Sequence, residues 1–334
     1  MLFITAYLIG LLLLPVKENI KNITDHGPFA WAKAVSASIV KKDLDQQAEI
    51  EPQIIDFEKE SLSPLEKTPR PKSDSKKQND LKVWAKESVL LDADSEKVLF
   101  EENMLENHQI ASITKTMTAL VLMGIVKDWN EKVTISSYAA SAGGATVHFL
   151  SGEKFIAKDL LKAMLMNSDN TAARALAEHF GETEDKFADL MNQKAKEIGL
   201  RNSHFADASG LDDDHAHSCA YDVAIIAKHL LDYPMLLEIM QTPSHIQIVS
   251  CDEFQNPHRV GNTDELLGKY SGILGAKTGF TYSAGYCLMM MREIPNKGKV
   301  IGVVLDAGEN QRWVEMQKML DWAFDRYNWS VFPK

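Results

Sequence analysis

Three short motifs stand in order along the chain: Ser112-Ile113-Thr114-Lys115, Ser168-Asp169-Asn170 and Lys277-Thr278-Gly279. A serine hydroxyl is a poor nucleophile at neutral pH and needs a base. Positions i and i+3 share a helix face, so Lys115 can take the Ser112 proton if burial or a second cation lowers its pKa. Lys277 is the candidate second cation. A helix beginning at Ser112 would also turn free N–H groups and a positive dipole end toward a developing oxyanion. Ser168 can relay a proton, and Asn170 can hold a substrate amide. Lys277 and Thr278 on an edge strand suit a carboxylate, and Gly279 leaves room for a close backbone approach. Taken singly, each motif is common, and Ser112 with Lys115 reads as a helix cap and a solvated lysine. Lys115 is expected at an exposed helix position that alanine could fill. The ordered triple carries the serine-nucleophile reading.

The elements that must position these residues are legible from pattern. Residues 88–91 and 98–101 flank Asp92-Ala93-Asp94-Ser95-Glu96, a β-hairpin signal. A helix is expected from Ser112 through Met123 to a stop at Gly124. Residues 133–136 suit a short strand, and 158–166 and 171–179 suit helices. Phe187, Leu190, Met191 and Ile198 share one face over 185–198, and Gly199 suits the C-cap. A further helix is expected over 220–231, with Ser218 as N-cap. Strands follow over 273–277, 285–291 and 300–305, the last two joined by a Pro295-Asn296-Lys297-Gly298 turn. Trp313, Met316, Leu320 and Phe324 line one face of a final helix over 312–327. Strands, a helical middle, more strands and a closing helix imply an α+β fold with an antiparallel sheet.

Composition bounds the rest. The chain has 334 residues, 45% hydrophobic and 25% charged, which suffices for a real core. Lys+Arg is 36 against Asp+Glu 47, a net charge of −11, which argues against nucleic acid as the partner. Cys219, Cys251 and Cys287 are too few and scattered for a disulfide framework or zinc module. Residues 1–16 carry no charge before Lys17 and are expected to be a membrane anchor or export signal, the alternative being a buried N-terminal helix. Residues 17–82 are expected to be a mostly disordered tether, most clearly over 41–82, where prolines and charged residues displace apolar ones. Globular patterning starts near Val83, giving a catalytic domain over 83–330. Three weaker signals read as structure: the polar loop Asp212-Asp213-Asp214-His215-Ala216-His217, the side chains of His148 and His204, and the Met289-Met290-Met291 run, a buried strand.

The surroundings of the motifs resemble the low-molecular-mass D-alanyl-D-alanine carboxypeptidases, penicillin-binding serine peptidases of the S11 type. The resemblance is carried by 111–120 around Ser112, by Ser168-Asp169-Asn170-Thr171-Ala172-Ala173, and by His204-Phe205 with Ser209-Gly210-Leu211-Asp212. Ala220-Tyr221-Asp222, Lys277-Thr278-Gly279-Phe280-Thr281 and Ala284-Gly285-Tyr286-Cys287 complete it. It is collinear from about Val83 to Tyr327. It implies a five-stranded antiparallel sheet with helices on both faces. Ser112, Lys115, Ser168 and Asn170 would be catalytic, Lys277, Thr278, Gly279, Phe280 and Thr281 would bind substrate, and the N–H of Phe280 would complete an oxyanion hole. The substrate implied is a peptidoglycan stem peptide ending in D-Ala-D-Ala, with β-lactams as inhibitors, no metal or organic cofactor, and an extracytoplasmic location. A D,D-endopeptidase, a class A-like β-lactamase and a catalytically dead wall-binding protein are the rivals. Two departures stand out. The second C-terminal domain common in the family is expected to be missing, which leaves anchoring to the N-terminus. Asp169 stands where glycine is common in carboxypeptidases.

Overall fold

The computed structural model describes residues 71–73, 81–253 and 255–329. The expected anchor over 1–16 and most of the expected tether lie outside the described residues. Among the described residues, no helix is long and apolar enough to cross a membrane.

In chain order, β1 (Lys72–Ser73) precedes β2 (Glu87–Asp92) and β3 (Val98–Glu102). A 3-10 turn at Ala111–Ile113 leads into α1 (Thr114–Ile125). There follow β4 (Lys132–Thr134), α2 (Ser137–Ala140), β5 (Lys154–Ile156), α3 (Ala157–Met166), α4 (Asn170–Gly181) and α5 (Glu184–Glu197). Next come α6 (Ala220–Leu230), α7 (Pro234–Met240), β6 (Ile246–Val249) and β7 (Pro257–Val260). The chain then runs through β8 (Ile273–Thr281), β9 (Gly285–Ile294), β10 (Gly298–Ala307), α8 (Gln311–Arg326) and β11 (Tyr327–Asn328).

The main sheet is antiparallel and five-stranded, in the order β3-β2-β10-β9-β8. Its strands are covered on both faces, so β2 is buried along its whole length. Period-two alternation divides each strand between two cores. Val89, Leu91, Met289, Met291, Ile301 and Val303 face the helical cluster, while Leu90, Leu288, Met290, Val300 and Val304 face α8. This explains the three consecutive methionines: the strand needs apolar residues on both sides. On α8, Trp313, Met316, Leu320 and Phe324 form the expected apolar stripe. Gly302 lets that helix close in, because a Cβ there would lie 2.5 Å from Met316 Sδ.

Two differences from the sequence reading have local causes. The α6 N-cap is Cys219, whose Sγ accepts the Asp222 N–H at 3.4 Å. Ser218 is drawn away by backbone pairing with His108 and a hydroxyl contact to Ser203. Helix α1 passes one residue beyond Gly124, which stands in open space and meets no steric stop.

Residues 72–73, within the stretch read as tether, pair with Tyr327–Asn328, and Lys97 Nζ donates to the Pro71 carbonyl at 2.7 Å. A chain starting at Val83 would lose these contacts and the flank of Leu81, a loss of about 1–2 kcal/mol. It is expected to melt cooperatively, with Tm lowered by about 2–8 °C. Absence of a cooperative transition would contradict this.

Candidate active site

Helix α1 sits at the centre of the helical cluster, packed against α3, α4, α5 and α6. Every residue from Thr114 to Leu122 is buried, so the helix has no solvent face before its last turn. Lys115 is therefore fully buried, not at the exposed position expected from the sequence. Its Nζ donates to Ser112 Oγ at 2.8 Å, Asn170 Oδ1 at 2.6 Å and the Ser209 carbonyl at 2.5 Å. All three ammonium donors are matched when the lysine is charged. Burial still lowers its pKa from 10.5 to about 7, against the opposing pull of Asp207, Asp169 and Glu184. The second-cation route is not the cause. Lys277 is also fully desolvated, its pKa falls well below the ordinary lysine value, and Lys115 adds to that fall.

The second lysine serves the second serine. Lys277 Nζ donates to Ser168 Oγ at 2.9 Å and to the Thr278 carbonyl at 2.9 Å. Ser168 is held at φ +64°, a left-handed conformation uncommon for serine. Asn170 opens α4, with Asp169 as its N-cap. Lys277, Thr278 and Gly279 lie on β8, the expected edge strand.

Two glycines permit the close approaches that bring these segments together. A Cβ on Gly279 would lie 2.7 Å from the Ile110 carbonyl and 3.4 Å from Ser112 N, so only glycine lets β8 reach the turn that carries Ser112. Gly210, at φ +77°, lies where a Cβ would strike the Ala111 carbonyl. Ala111 itself is at φ +47°. Asp207 Oδ1 accepts the N–H groups of Ser209 and Gly210 at 2.7 and 2.5 Å, aiming the Ser209 carbonyl at Lys115.

Ser112, Ser168, Thr278, Gly279 and Phe280 line one open cleft. Lys115, Asn170 and Lys277 are buried: the two lysines donate to its serines, and Asn170 reaches Ser112 only through Lys115. Thr281 does not line the cleft: its Oγ1 accepts the Ala284 N–H at 3.0 Å in the β8–β9 turn.

Sequence reasoning missed Arg312, Glu265, Glu309 and Thr263, which border the same cleft. Arg312 stacks over Tyr286 at 5.1 Å, and its buried Nε has no partner. One signal could have exposed it: a cation in the first turn of a helix opposes the macrodipole. Thr263 Oγ1 lies 3.0 Å from Thr278 Oγ1.

Among the described residues, no cluster of three or more His, Cys, Asp or Glu could hold a metal. The loop over 212–217 is polar surface, with His204 and His217 joined by backbone pairing. All three cysteines are free thiols; burial pushes Cys219 and Cys287 up to about 12.

The fold and the paired Ser–Lys geometry define a penicillin-recognising serine-peptidase domain. A profile of the S11 peptidase family, D-alanyl-D-alanine carboxypeptidase, matches residues 72–309, and the chain belongs to that family. It is 37% identical over 262 residues to the D-alanyl-D-alanine carboxypeptidase DacF of Bacillus subtilis (strain 168), covering 77% of this chain and 66% of that protein. The chain thus spans just under two thirds of that relative's length. It is 30% identical over 238 residues to a D-alanyl-D-alanine endopeptidase of Escherichia coli (strain K12), covering 70% and 76% of the two chains. A mutant of the Streptomyces K15 DD-transpeptidase superposes with a TM-score of 0.69 at 25% identity, over 74% of this chain and all of that one.

Lys115→Ala is expected to fold but to lose penicillin acylation by about 10²–10⁴-fold. Acylation within tenfold of wild type would reject Lys115 as the base. The stability effect has a sign. The folded pKa of Lys115 lies below its unfolded value, so wild type gains stability as pH rises from about 7 toward 10.5. The variant's deficit in Tm should therefore grow between about pH 6 and pH 9; a constant or shrinking deficit would contradict it.

The acylation rate of the wild type should also rise through about pH 7, as Lys115 loses its proton, and then level off. Stopped-flow measurement with benzylpenicillin checks this. A flat profile from about pH 5 to pH 9 would contradict a lysine base titrating in that range.

Proposed function

We propose that this domain is an extracytoplasmic D-alanyl-D-alanine carboxypeptidase that removes the terminal D-alanine from peptidoglycan stem peptides through an acyl-enzyme. The observation that carries this reading is the fully buried Lys115, its Nζ 2.8 Å from Ser112 Oγ, where burial lowers the lysine pKa to about 7. Neutral Lys115 takes the Ser112 proton as Oγ attacks the penultimate D-alanine carbonyl. The N–H groups of Ser112 and Phe280 receive the oxyanion. Collapse expels terminal D-alanine, its amine protonated through Ser168, and water then hydrolyses the ester. Thr278 and Lys277 receive the terminal carboxylate, with Arg312 supplying a permanent charge at the cleft. A substrate carboxylate there would favour the charged form of Lys277, opposing the fall that burial causes. Asn170 orients the acyl side. The same reading takes β-lactams as inhibitors and the apolar segment over 1–16 as the membrane anchor.

Similarity to an endopeptidase as well as to carboxypeptidases keeps cross-link cleavage as the second reading. A β-lactamase needs an activated water for deacylation. The stretch from Gly199 to Leu236 holds no glutamate, although Glu265 and Glu309 border the cleft. Benzylpenicillin is expected to leave a stable mass adduct that Ser112→Ala abolishes, and muropeptides should lose one D-alanine. Rapid multiple turnover of penicillin without D-alanine release would replace this reading with a lactamase. Loss of cross-links alone would replace it with an endopeptidase.

A further inference from the structure

Asp169 is fully buried, yet no chemical step above uses it. Its two oxygens are matched by main-chain donors from two different segments. Oδ1 accepts the Ala172 N–H at 2.6 Å as the N-cap of α4. Oδ2 accepts the Val147 N–H at 2.5 Å. The next residue grips the same segment from its other end: Asn170 N donates to the Ala145 carbonyl at 2.8 Å, and Asn170 Nδ2 to the Gly143 carbonyl at 2.6 Å. Gly144 and Ala145 line the cleft that holds Ser112 and the β8 edge. Gly144, at φ +77°, leaves no room for a Cβ, which would stand 2.9 Å from Asn170 Nδ2. A carboxylate is suited to this place because it alone offers two acceptor atoms and no donor to clash with either N–H.

We propose that Asp169 is a positioning residue that straps segment 143–147 to the start of α4 and so fixes a cleft wall that binds the acyl side of the substrate. This rests on the D,D-peptidase reading of the cleft. The strap acts on binding and leaves proton transfer to Lys115 and the serines. Asp169 is also one of three acids that favour a charged Lys115, so a charge effect must be separated from a positioning effect.

Asp169→Asn preserves size and one acceptor, the one that caps α4, but sets an amide NH₂ against the Val147 N–H. Steady-state kinetics on a D-Ala-D-Ala pentapeptide at the alkaline plateau should show KM raised about tenfold, with kcat within about threefold. Amide exchange supplies a second readout that does not depend on activity. In the wild type, Val147 should be protected to a degree similar to Ala172, and in Asp169→Asn only Val147 should lose protection. An unprotected Val147 in the wild type would overturn the strap even if the variant does not fold. An unchanged KM, equal losses in KM and kcat, or an effect confined to a shifted pH–rate profile would also overturn it. A wild type that neither releases D-alanine nor takes up penicillin would instead remove the peptidase reading on which the proposal rests, while a protected Val147 would still report the strap.

Discussion

The structure depends on one constraint: an ammonium group is held wholly out of water beside a serine hydroxyl. A lysine in that position is costly when charged and becomes a base near neutrality. The surrounding elements produce both conditions. Helix α1 is enclosed by four other helices, which removes water from Lys115. Ser209 O, Asn170 Oδ1 and Ser112 Oγ hold its Nζ in one place. Two glycines admit the backbone that closes this arrangement: Gly279 from the sheet edge and Gly210 from the loop behind the Ser112 turn.

The pairing is repeated. Lys115 is bonded to Ser112 and Lys277 to Ser168, so each buried lysine ends on a serine of the cleft. The two environments are not equivalent. Lys115 has Asp207, Asp169 and Glu184 near enough to favour its charged form, whereas Lys277 has Lys115 and Arg312 opposing it. These acids thus keep the pKa of Lys115 within reach of neutral pH. The lysine on the sheet edge instead lacks a counter-charge that an incoming carboxylate could supply.

Much of this was legible in the sequence, for physical reasons. The strands of the main sheet and the stripe Trp313, Met316, Leu320 and Phe324 show because long elements buried on a regular face leave a regular pattern. The motif triple shows through its resemblance to the penicillin-binding serine peptidases, since each motif taken singly is common. The burial of Lys115 did not show, because a helix buried on every side has no polar face from which to infer its orientation. The strand expected over 133–136 is β4, but its partner β5 and the pairs β1–β11 and β6–β7 carry too few residues for a period-two signal. Helix α7, at seven residues, has the same difficulty. Glu265 reaches the cleft through tertiary packing alone, Arg312 left only the mark of a cation in a first helical turn, and Thr281 leaves the cleft with its hydroxyl taken up by a turn.

The central claim is that Lys115 is a desolvated lysine titrating near neutrality. The most direct measurement is an NMR titration of lysine side chains labelled at Cε and Nζ, with Lys115 assigned by comparison with a Lys115→Arg variant. The account predicts that the Lys115 resonance shifts with a midpoint at about 7. A midpoint near the ordinary lysine value of 10.5 would contradict it.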